Sequence, residues 1–105
     1  MINLVENQNN GFDLIENDTP TGQTIFVENL FDEEQQIMAP TIVVSNTPFQ
    51  LAYYYTINKK YVVKDVNIIL KYLNIQISPQ QFNNVVEKLY SQLLNLKSNP
   101  KKVNI

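Results

Sequence analysis

The stretch TPFQLAYYYTIN, residues 47–58, decides how the rest of the chain is read. Thr47, Pro48 and Gln50 stand at the N-cap, N1 and N3 spacing of a helix start, where a hydroxyl and an amide satisfy orphan N–H groups. Leu51, Tyr53, Tyr55 and Ile57 also alternate, however, and Asn58, Lys59 and Lys60 supply a turn, so a hairpin competes. The cap favours a helix over residues 48–58 carrying Phe49, Leu51, Ala52, Tyr54 and Tyr55.

Toward the C-terminus the same local chemistry recurs 31 residues on, as Ser78, Pro79 and Gln81. The residues after the two copies do not match, so they are two caps and not a repeat. A helix over residues 64–74 places Val63, Val66, Ile69, Leu70 and Leu73 on one face, and residues 75–77 form a short extended link. The pattern is strongest over 79–97. There Phe82, Leu89 and Leu96 lie seven apart, and Val85, Val86, Leu93 and Leu94 fill the adjoining rows. Asn99 and Pro100 end the helix, and Lys101 and Lys102 come after it as a basic tail.

Toward the N-terminus the texture is extended. Apolar patches at residues 2–5 and 12–15 flank a polar loop ending in Asn10-Gly11, a hairpin signal. Thr19, Pro20, Thr21 and Gly22 read as a second turn, and residues 23–27 as a strand. Residues 32–38 read as a short helix capped by Asp32 and stopped by Pro40, with a β-branched strand over 41–45 behind it. The expected fold is α+β but mainly α. It has an acidic extended arm with short strands over 1–45, a three-helix, helix-turn-helix-like domain over 46–98 and a basic tail over 99–105.

Charge obeys the same division. Residues 1–58 hold eight acids and no lysine, a charge of −8, whereas residues 59–105 hold eight lysines and two acids, a charge of +6. The halves therefore meet different partners or neutralise each other.

Composition excludes several functions. The chain of 105 residues has no Cys, His, Trp or Arg, so the commonest general base and the best nucleophile are missing. Its only glycines are Gly11 and Gly22, which leaves no phosphate-cradling loop. The acids Asp32, Glu33 and Glu34 suit a helix start better than a metal site, and they lack EF-hand spacing. A non-enzymatic protein without metal or cofactor is expected. No apolar run approaches the ~20 residues of a membrane span, and residues 1–5 lack a signal peptide's basic region, so the expected location is cytoplasmic or within a virion. Asn, at 15 positions, Ile, at 11, and Lys point to an AT-rich genome such as that of a phage or another virus.

Two functions remain. In the first, the chain is an accessory or structural subunit of a larger assembly. Phe12, Ile15, Phe26, Leu30 and Phe31 anchor it on a protein partner, and the apolar stripe of residues 79–97 suits a partner helix or a second copy. In the second it is a small helix-turn-helix regulator that binds DNA. Gln80, Gln81, Asn83 and Asn84 then reach base edges while Lys59, Lys60, Lys64 and Lys88 meet phosphates. The six tyrosines suit half-buried core positions better than stacking platforms.

Overall fold

Asn17 and Asp18 both adopt left-handed backbone conformations, with φ of 51° and 66°. Two such residues between paired ends, here Glu16 and Thr19, make the tight hairpin turn whose twist matches that of its strands. This and three further reversals fold the first half of the chain into a meander. A computed structural model describes residues 2–52 and 57–97. Strands β1 (Ile2–Glu6), β2 (Phe12–Glu16), β3 (Thr19–Asp32), β4 (Ile37–Val44) and β5 (Gln50–Ala52) form one antiparallel sheet in sequence order. Helices α1 (Lys59–Tyr72) and α2 (Pro79–Lys97) complete the chain order. The expectation of a mainly helical, three-helix fold is thereby corrected: among the described residues strand takes 38% and helix 36%, and there are two helices.

Local side chains shape each reversal. In the β1–β2 loop the Asn7 carboxamide oxygen accepts from the N–H groups of Asn9 and Gly11, and its nitrogen donates to Asp13. Gly11 is required for contact: a Cβ there would sit 2.5 Å from the carbonyl oxygen of Ile25. The turn expected at residues 19–22 is instead part of β3. Thr21, Gly22 and Gln23 bulge opposite Leu14, with the Thr21 hydroxyl donating to the Leu14 carbonyl and Gly22 at φ 84°.

The short helix expected over residues 32–38 is also absent. Asp32 does cap, since its Oδ1 accepts from the N–H groups of Glu34 and Gln35, but only one turn forms. The chain reverses through Gln36 at φ 57°, whose N–H donates to the Asp32 carbonyl. Residues 37–44 then pair with β3, where the β-branched Thr41, Ile42, Val43 and Val44 gain more than a helix containing Pro40 would offer.

The helix expected over residues 48–58 fails for a similar reason. Residues 50–52 are β5, paired with Thr41, Ile42 and Val43. Thr47 uses its hydroxyl to close a turn, donating to the Val44 carbonyl and accepting from the Phe49 N–H. The same hydroxyl chemistry that caps a helix here ends a hairpin. Residues 53–56 of that expectation lie outside the described residues. Asn58 caps α1 by accepting from the Lys60 N–H, so this helix begins five residues before its expected start. Helix α2 spans the expected residues, and the Ser78 hydroxyl accepts from the Gln81 N–H.

The extended arm is the larger correction. Strands expose every second residue to one face, and the inward set is Leu4, Phe12, Leu14, Ile25, Ile42 and Val44. These side chains share one core with Val62, Val66, Ile69 and Leu70 of α1 and Val85, Val86, Leu89 and Leu93 of α2. The two halves thus bury the same apolar surface. Residues 99–105, the expected tail, lie outside the described residues.

Candidate interaction surfaces

Three surfaces bear on function, and the first is the start of α2. Residues spaced three and four apart place Gln80, Asn83, Asn84, Glu87 and Ser91 outward, all exposed. This row is neutral apart from one acid. Gln81 is turned away from it, and its Nε2 donates to the backbone carbonyl of Leu4 on edge strand β1 at 2.6 Å. Lys88 is held against the sheet, with Nζ 3.3 Å from the Glu6 carboxylate and 5.7 Å from the centre of the Phe12 ring. Lys59 pairs with Glu87. Among the eight residues expected to touch DNA, Gln80, Asn83, Asn84, Lys60 and Lys64 are exposed and outside these contacts. The last two belong to α1.

The second surface is the outward face of α1. Val62, Val66, Ile69 and Leu70 face the core. At ~100° per residue, Lys60, Lys64 and Lys71 fall within about 40° of one another around the helix axis. Beside this lysine row runs an apolar one, Tyr61, Ile68 and Tyr72, which are 56%, 40% and 53% exposed. The Tyr72 ring rests on Phe49 with centroids 4.8 Å apart, which fixes the lower end of the row. None of the three lysines shares an ion pair with a described residue. The periodic signal for the apolar row is present in the sequence, but a helix begun at residue 64 leaves Tyr61 outside it.

The third surface is the far end of the β3–β4 hairpin. Phe31, 46% exposed, projects from the core-side face of the sheet, whereas Ile37, 39% exposed, shares the opposite face with Glu28, and the exposed Glu33 and Glu34 lie in the turn between the strands. None of these three glutamates shares an ion pair with a described residue. A cavity of about 210 Å³ at this end is lined by Leu30, Phe31, Asp32, Glu33, Ala39, Thr41, Gln50 and Ala52. The expected partner anchors divide. Phe12 is core, at 2% exposure. By strand register Ile15, Phe26 and Leu30 lie half-buried on the sheet face opposite the core, where Phe26 pairs with Val43 and Leu30 with Ala39. Only Phe31 among the five is well exposed.

The described residues contain no group of three or more Asp or Glu side chains placed to hold a metal, and no helix long and apolar enough to cross a membrane. No protein-family model matches the chain, and neither a curated protein nor a solved structure is significantly similar to it.

Proposed function

We propose that this protein is a non-enzymatic interaction protein, an accessory or structural subunit of a larger assembly such as a virion. One observation carries the reading. Of the seven exposed large apolar side chains among the described residues, Tyr61, Ile68 and Tyr72 gather in one row on α1 beside lysines that share no ion pair with a described residue, while Val5, Phe31, Ile37 and Leu94 stand on other elements. Apolar groups rimmed by charge are the anatomy of a protein interface. The test is the size of the full chain in extracts of its native cells, read by sedimentation and mass measurement. The reading expects a complex heavier than the monomer that Ile68→Glu releases. Recovery of the wild type as a monomer throughout would refute it.

A second reading, a small DNA-binding regulator, rests on the exposed Gln80, Asn83 and Asn84 at the start of α2. Of the two lysines of α2, Lys88 is engaged with Glu6 and Lys97 lies at the far end of the helix from these residues. A salt-sensitive mobility shift with short duplexes, lost in Lys60→Ala/Lys64→Ala, supports it; no shift at low salt removes it.

A further inference from the structure

Strand β3 outruns its neighbour on one side. It pairs with β2 only as far as Ile25, whereas its pairing with β4 continues to Asp32. Thr24 and Asp32 turn their carbonyls toward β4, where they accept from the N–H groups of Ser45 and Gln36. Backbone groups alternate sides along a strand, so Val27, Asn29 and Phe31 point theirs the other way, past the end of β2. No strand among the described residues pairs with them there. The β1–β2 loop closes one end of this open edge, with Gly11 against the Ile25 carbonyl, and the turn at residues 33–36 closes the other. Residues 27–31, ~17 Å of extended chain, are left between.

We propose that a lysine- or arginine-bearing segment of a partner protein adds to this edge as a sixth strand, hydrogen-bonded to Val27, Asn29 and Phe31. The inference rests on the interaction-protein reading above and names the chemistry of a partner. An open edge recruits extended chains because its N–H and C=O groups stand ready to pair. Side chains select the occupant. On the core side of the edge stand Val27, half-buried, and Phe31, 46% exposed, which favour an apolar residue beside them. The other face carries Leu30 and the carboxylates of Glu28 and Asp32, with Asp13 on the neighbouring strand. Every described lysine lies on α1 or α2, which pack on the core side of the sheet. Glu28 shares no ion pair with a described residue. The two faces thus call for apolar and basic side chains in alternation, the period of a strand. A second copy is a poor occupant, since pairing edge with edge brings Glu28, Glu33 and Glu34 of one copy toward those of the other.

The test titrates the purified, isotope-labelled full chain with a capped synthetic peptide of alternating lysine and valine, read by backbone NMR at low salt. Shifts are expected to be largest at the Val27, Asn29 and Phe31 amides, whose hydrogen exchange slows on binding. Glu28→Lys is expected to weaken binding about tenfold and Glu28→Gln less, with the remaining amide signals unchanged to show that both variants are folded. A proline at the centre of the peptide removes a ladder donor and is expected to weaken binding by about the same factor. Equal binding of the proline peptide overturns the proposal, because charge alone then holds it. Shifts centred elsewhere, or no binding, overturn it too. Slow exchange at the three amides before any peptide is added also overturns it, since the chain itself or a second copy then covers the edge. A full chain that ignores the peptide yet sediments from extracts as a complex refutes docking at this edge and leaves the interaction reading standing.

Discussion

The side chain of Gln81, at the third position of α2, donates to the backbone carbonyl of Leu4 across 77 residues of sequence. It joins the start of the last helix to the edge of the first strand, satisfying a carbonyl that no further strand reaches. Gln81→Ala should lower stability by about 1–2 kcal/mol, because it leaves a half-buried acceptor without its donor. The exposed neighbour Gln80→Ala should stay within about 0.5 kcal/mol of the wild type. Urea unfolding of both variants separates a structural Gln81 from one held free to contact a ligand.

Leu14 is almost fully buried in the core that the helices complete. Leu14→Ala should cost about 2–5 kcal/mol, the range of a buried leucine truncation. For the same reason residues 46–97 expressed alone should show no cooperative thermal transition by circular dichroism. A cooperative melt of that fragment would mean that the helices do not need the sheet.

Asp18 occupies the second turn position between β2 and β3 at φ 66°. Glycine adopts that conformation without the steric cost borne by a Cβ. Asp18→Gly should therefore raise stability by about 0.5–1 kcal/mol, seen as a higher midpoint in urea.

Asn29 lies opposite Pro40 in the β3–β4 pair, and neither polar atom of its buried carboxamide has a hydrogen-bond partner. A buried amide so placed carries its full desolvation cost. Asn29→Leu, similar in size and apolar, should stabilise the fold by about 1 kcal/mol. A loss of stability would show that the amide is satisfied in solution.

Much of this fold is local, and the local part is legible in the sequence. The Ser78 cap, the span of α2 and the Asn10-Gly11 loop are all set by side chains within a few residues of the feature they determine. Thr47 shows where such reading ends: a hydroxyl accepting an N–H two residues on serves a turn as well as a helix, and β4 decides between them. The acidic half reads as poor in core because a strand covered on one side contributes one core residue in two. Leu4, Leu14 and Ile25 look sparse along the chain, yet they form a continuous face once the strands align. At the expected DNA surface, helical spacing alone accounts for the exposure of Asn83 and Asn84. It does not account for the diversion of Gln81 and Lys88 to β1, which depends on how α2 lies across the sheet.

The strictly sequential strand order has a consequence for biosynthesis. Each strand pairs with its predecessor, so the meander can form while the ribosome is still translating. Its apolar side then stays wet until residues 79–97 emerge, since α2 reaches back over β3 and β4. A nascent chain stalled before that point is a bare, sticky sheet, and chaperone demand should peak there and fall once the final helix closes over it.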